Sequence, residues 1–166
     1  MKITRNLLLS IISFFGSGLI SKKMPGTVAS FFGSLVLIAL PKSPFLIAIL
    51  AILVFVIGVK TCDAYIVKHK YETDKDPKYV VIDEICGIFV GASIIYSFGL
   101  TSISDIAFNL LLFRLFDILK PFPIRNIERL MKQNERTVGL GIMLDDVLAG
   151  IISGILQIII EVFGKL

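Results

Sequence analysis

Residues 80–104 read VVIDEICGIFVGASIIYSFGLTSIS, and this stretch decides the class of the chain. An uncharged run, Ile85–Ser104, follows directly on two adjacent acids, Asp83 and Glu84. The run has the roughly 20 residues that a simple membrane-spanning helix needs. Acids pressed against such a run are costly unless paired, and charge placed there marks a functional site by default. Four shorter uncharged runs accompany it: Asn6–Ser21, Met24–Pro41, Ser43–Val59 and Val147–Ile160. These span only with help from flanking residues, or else lie as re-entrant or interfacial segments.

Composition agrees with a membrane class. The chain is 55% hydrophobic with a mean hydropathy of +0.88. It has 13 Phe and no Trp. Backbone polar groups in lipid must be satisfied within their own segment, which selects helices. The expected fold is therefore all-α: a multi-helix integral membrane bundle of short helices, with residues 1–166 forming a single helical membrane domain. The 166-residue length suits one domain. The net charge of +4 comes from Lys and Arg lying between apolar runs. That placement suits loops against an anionic membrane surface rather than a nucleic-acid stripe. Cys62 and Cys86 lack any metal-finger or CxxC spacing and read as small apolar packers. The N-terminus, MKITRNLLLSIISFFGSGLI, has the charge and apolar stretch of a signal peptide but no clear cleavage site before Lys22-Lys23, and is expected to stay in the mature protein.

Local signals set the expected boundaries. Pro41-Lys42-Ser43-Pro44 is a tight connection, so residues 28–59 read as a helical hairpin. Asp76-Pro77 reads as a helix start that would carry Asp83 and Glu84 about two turns inside. Residues 97–104 read as a turn, with Ser104 or Asp105 capping the next helix, and Lys120-Pro121-Phe122-Pro123 ends that helix. Gly139 and Gly141 are expected to precede the last helix, with Asp145 and Asp146 in its early turns. One set of connections holds nearly all the basic residues, in 22–23, 60–78 and 120–136; the other holds Lys42 and Lys165. The basic set is expected on the cytoplasmic side. The charged clusters then lie near the cytoplasmic ends of their helices, at one shared level.

Three clusters carry the chemistry. Asp83-Glu84 and Asp145-Asp146 are acidic pairs in apolar surroundings. Carboxylates are the ligands that Mg²⁺ prefers. Helix neighbours point about 100° apart, so within each pair one acid can ligate while the other serves a second role. Arg114, Asp117 and Lys120 are spaced i, i+3, i+6 and share a helical arc. Arg suits a bidentate phosphate contact and Lys a point contact, although the set could also be a salt-bridge ladder. Pro25-Gly26-Thr27 is a glycine turn able to present N–H groups to phosphate, a weak signal by itself. His69 sits in a polar stretch and reads as a surface residue.

Taken in order, FGSGL (15–19), PGT (25–27), GSL (33–35), VVIDEICG (80–87), FRLFDILKPFPI (113–124) and GLGIMLDDVLAG (139–150) resemble the phosphatidylglycerophosphatase A family. The resemblance covers about 15–150; residues 36–79 and 151–166 match only in hydrophobic character. It implies a bacterial inner-membrane, multi-pass, Mg²⁺-dependent phosphatase that converts phosphatidylglycerophosphate to phosphatidylglycerol, its active site facing the cytoplasm. The positions it carries over are Thr27, Asp83, Glu84, Arg114, Asp117, Lys120, Pro121, Asp145 and Asp146. Cys86 falls where the family motif can hold a plain aliphatic residue, which argues against a cysteinyl-phosphate intermediate.

The expected chemistry is metal-assisted hydrolysis of a phosphomonoester. Asp83, Glu84, Asp145 and Asp146 are the candidate metal ligands, and with Asp117 and Lys120 they form the candidate catalytic set. Arg114, Lys120 and Thr27 are the candidates for binding the substrate phosphate. The cofactor is Mg²⁺ and the substrate a phospholipid in the membrane. A small cation transporter or channel is the rival class. It explains the acids but gives Arg114 and Lys120 no natural role. A structural membrane subunit explains none of the clustering.

Overall fold

The computed structural model describes residues 2–21, 23–68, 78–122, 124–126 and 138–164, without the side chains of 2–5 and 66–68. Among them there is no strand. Among the described residues the helices are, in order, α1 (Lys2–Ile12), α2 (Ser17–Ile20), α3 (Pro25–Ala39), α4 (Pro44–Lys68), α5 (Ile82–Ser97), α6 (Ile103–Leu119) and α7 (Val138–Phe163), and residues 124–126 are helical as well.

Proline and serine punctuate them. Pro25 opens α3 and Pro44 opens α4, where a missing N–H costs nothing. Leu40, ahead of Pro41, is already extended. α6 begins with a capping box: Asp105 N donates to Ser102 Oγ at 3.1 Å and Ser102 N donates to Asp105 Oδ2 at 2.8 Å. The cap is thus Ser102, two residues earlier than the first candidate expected. α6 ends at Lys120, whose φ of 42° breaks the helix just ahead of Pro121.

Two expected boundaries are corrected. α5 starts at Ile82, so Asp83 and Glu84 lie in its first turn and not two turns inside; Asp76-Pro77 and His69 fall outside the described residues. α7 already includes Gly139 and Gly141, which places Asp145 and Asp146 about two turns in. Gly139 tolerates the helix because Asp63 of α4 caps it: Gly139 N donates to Asp63 Oδ1 at 2.7 Å. The run 85–104 is not one helix either, since Gly99, at φ 78°, turns the chain after α5. Among the described residues the two helices long and apolar enough to cross a membrane are instead α4, over Pro44–Tyr65, and α7. Each of these gains length from flanking polar residues.

α5 is the hub. It packs against α7, α4, α3 and α6. α3 and α4 are joined by the tight turn as expected, yet each lies mainly on α5 rather than on the other. Ile85, Ile88, Ile95 and Phe113 are fully or almost fully buried around this hub. A second core gathers Ile12 of α1 with Cys62, Cys86, Ile142 and Met143. Neither cysteine is in a disulfide, and both are buried, as packing residues are.

The tightest approach is a seam of small residues. Gly87 and Gly91 on α5 meet Gly150 and Gly154 on α7. A Cβ on Gly150 would collide with Gly87 O, and one on Gly154 would lie 3.1 Å from Gly91 O. Small residues four apart let helix backbones touch, the packing used where lipid gives no hydrophobic drive. Outward, α3, α4 and α6 leave Phe31, Phe45, Ile52, Leu53, Leu111 and Ile118 exposed. Large apolar side chains left exposed in such number are unusual on a soluble monomer.

Candidate active site

The start of α3, the start of α5, the end of α6 and the second turn of α7 meet around one cavity of about 420 Å³. Every sequence-predicted site residue lines it: Thr27, Asp83, Glu84, Arg114, Asp117, Lys120, Asp145 and Asp146.

Three acids draw together. Asp83, Glu84 and Asp146 each offer a carboxylate oxygen, and these oxygens lie within 4.8 Å of one another. Asp146 is buried and only 3% exposed. The two members of the α5 pair therefore do turn to one centre, against the expectation from their 100° divergence. They sit in a first turn, and the extra methylene of Glu84 lets it reach around. The α7 pair diverges, with Asp146 in the acidic cluster and Asp145 outside it. Asp145 turns to Lys120, whose Nζ donates to Asp145 Oδ2 at 2.6 Å. Asp145 Oδ1 also accepts from Asp146 N at 3.1 Å.

Arg114 Nη1 donates to Asp117 Oδ2 at 2.5 Å and lies 3.8 Å from Glu84 Oε1. So among the described residues the salt-bridge ladder on α6 shows one rung, Arg114–Asp117. Lys120, past the end of the helix, leaves the ladder and crosses to α7. Its left-handed backbone, uncommon for a residue with a Cβ, is what aims it there.

The donor set suits a hard divalent cation. Glu84 Oε2 and Asp146 Oδ2 are buried and have no hydrogen-bond partner. Clustered carboxylates in a covered site repel one another, and they call for a cation or a shared proton. All the available donors are oxygens, the Mg²⁺ preference.

Two contributions were not read from the sequence. Gly26 is required by space: a Cβ there would run into Glu84 Oε1 and lie 3.0 Å from Arg114 Nη1. It was in view as part of PGT, but its partner lies 58 positions away in the chain. Lys23 and Lys78 also line the cavity, and had been counted only as loop charge. The FGSGL stretch acts one step further out. Gly18 packs so closely that a Cβ would lie 2.6 Å from Tyr79 O, and Val81 N donates to Ile12 O at 2.8 Å. These contacts hold the entry to α5. Cys86 points elsewhere, into an apolar groove with Ala51, Phe55 and Val147.

The profile of the family described as Phosphatidylglycerophosphatase A matches residues 10–161. A Haemophilus influenzae protein named phosphatidylglycerophosphatase A is 35% identical over 153 residues, covering 89% of this chain and 84% of that protein. A protein of the same name from Escherichia coli is 34% identical over 152 residues, covering 87% and 78%. A Bacteroides thetaiotaomicron protein, named provisionally as a phosphatidylinositol-3-phosphatase, is 32% identical over 151 residues, covering 86% of each. No solved structure matches the chain significantly.

Proposed function

The chain belongs to the phosphatidylglycerophosphatase A family, and from that premise we propose that it hydrolyses the terminal phosphomonoester of phosphatidylglycerophosphate, giving phosphatidylglycerol and inorganic phosphate. Membership makes it a phosphoric monoester hydrolase. The observation that carries the detailed reading is the meeting of Asp83, Glu84 and Asp146 with Arg114 and Lys120 in one cavity.

In this reading Asp83, Glu84 and Asp146 hold Mg²⁺. When bound, it supplies charge neutralisation and an activated water. Asp145, expected as a fourth ligand, is better employed in fixing Lys120. Arg114 and Lys120 face the phosphoryl oxygens, where positioned cations offset charge in a transition state whose catalysis is mostly electrostatic. Thr27, in the first turn of α3, adds a hydroxyl and the positive end of a helix. Asp117 orients Arg114. Water attacks phosphorus, a cavity carboxylate takes one of its protons, the bond from phosphorus to the glycerol oxygen breaks, and that proton is returned to the departing oxygen, which leaves as the hydroxyl of phosphatidylglycerol. Cys86, outside the cavity, takes no part.

The exposed apolar faces and the two long apolar helices support a place in the bacterial cytoplasmic membrane. We assign the whole chain to one multi-pass helical domain, with loop charge putting the cavity on the cytoplasmic side. A substrate lipid then keeps its tails in the leaflet and offers its headgroup at the interface. Cation transport gains no support, because Arg114 and Lys120 stand in the middle of the acids and would repel the cargo.

The test is release of phosphate by purified protein in neutral detergent from three lipids: phosphatidylglycerophosphate, phosphatidylinositol 3-phosphate and phosphatidic acid. The highest kcat/KM is expected on the first. Preference for the inositol lipid would replace the substrate while keeping the reaction, and no release from any of the three would overturn both.

A further inference from the structure

The cavity holds two kinds of cation. Arg114 and Lys120 are largely covered and committed to acids, with side chains 17% and 25% exposed. Lys23 and Lys78 are exposed at its edge. Among the described residues neither edge lysine forms an ion pair. Lys23 stands two residues ahead of α3 and Lys78 four ahead of α5. Both approach the cavity beside a helix N-terminus, and α3 and α5 run for 15 and 16 residues. The N-terminal partial charge of α3, whose first turn holds no acid, adds to the lysines in favouring an anion, whereas that of α5 is already met by Asp83 and Glu84. The inner cations are paired with Glu84, Asp117 and Asp145, whereas among the described residues no carboxylate pairs with the lysines at the edge.

We propose that Lys23 and Lys78 form a second anion subsite, which takes the phosphodiester that stays with the lipid product while the monoester enters the acidic centre. The two lysines would thus add to the preference for phosphatidylglycerophosphate over a lipid with a single phosphate. The proposal rests on the phosphatase reading above and adds how the headgroup is chosen. A lysine on its flexible four-carbon stem is a point charge that follows a mobile headgroup. Its contribution goes mainly to binding, because the diester carries the same charge in ground and transition states. Binding equally strong in both states alters KM and leaves kcat.

The experiment compares wild type with the double variant Lys23→Gln/Lys78→Gln in neutral detergent micelles, on phosphatidylglycerophosphate and on phosphatidic acid. The expected result is a KM about tenfold higher on the two-phosphate lipid, with kcat kept, and a correspondingly smaller ratio of kcat/KM between the two lipids. Lys23→Arg/Lys78→Arg should restore the ratio. An equal loss on both lipids would overturn the subsite and assign the lysines to general attraction for an anionic interface. An unchanged ratio would overturn it too. Should wild type release phosphate from neither lipid, the phosphatase reading itself fails, a result that is plain before any variant is made.

Discussion

Lys120 Nζ sits 2.6 Å from Asp145 Oδ2, so the end of α6 is bolted to α7 across 25 positions of sequence. The bond joins a side chain that is 25% exposed to one that is 4% exposed. The outer base thus contributes to the charge balance of the inner acid, and a change of the lysine is expected to affect both folding and turnover.

Lys120→Met is expected to lower kcat/KM by about two to four orders of magnitude, as the loss of a positioned transition-state contact does. It should also destabilise the protein, because Asp145 stays buried without its counter-charge. Lys120→Met/Asp145→Leu removes the stranded acid, and should recover most of the stability and none of the activity. Thermal unfolding and turnover measured on the same three preparations check this. A destabilised but fully active Lys120→Met would remove the lysine from phosphate binding.

Chelation is expected to abolish activity, and Mg²⁺ to restore it. Binding to the native state alone also raises stability, by about 2.7 kcal/mol at a hundred times the dissociation constant. The unfolding midpoint of wild type should therefore rise with Mg²⁺, and this rise should shrink in Asp83→Asn, Glu84→Gln and Asp146→Asn. Full activity in excess chelator would end the metal assignment.

Gly26→Ala should act through Glu84. The added methyl meets Glu84 Oε1, and the carboxylate is the part able to move. Activity is expected to drop at least about tenfold, the equivalent of 1.4 kcal/mol, while helicity and unfolding midpoint stay near wild type. Unchanged turnover would show that Glu84 is not held where the reaction needs it.

Topology can be read with single cysteines at Ser43 and Ser104, in a background lacking Cys62 and Cys86. Both are expected to react with an impermeant thiol reagent from outside intact cells. Cysteines at Lys75 and Lys132 are expected to react only after permeabilisation. Outside labelling at 75 or 132 would invert the orientation.

The chemistry of the site was legible because charge in an apolar chain is conspicuous. Asp83, Glu84, Arg114, Asp117, Lys120, Asp145 and Asp146 all stood out, and all of them line the cavity. Helical class followed from hydropathy, and the α6 end from Lys120-Pro121. What stayed hidden were relations between distant parts. Asp63 caps Gly139 over 76 positions, and no local propensity announces such a cap. Without that cap, glycines at 139 and 141 look like helix breakers, which moved the expected start of α7 too late. The uncharged run 85–104 overstated the length of α5, although the turn read at 97–104 does separate α5 from α6. Gly26 looked like an ordinary turn residue because the space it leaves is used by another helix.

The glycine seam between α5 and α7 has a consequence for how the centre can fail. Glu84 lies three residues ahead of Gly87, and Asp146 four ahead of Gly150, so the seam works as a vernier between two scales. A slip of a single residue would turn one helix by about 100° and shift it about 1.5 Å, carrying a ligand out of reach of its partners. A single methyl group at Gly87 or Gly150, neutral and remote from the substrate, should therefore mis-set the instrument while every charged side chain remains present.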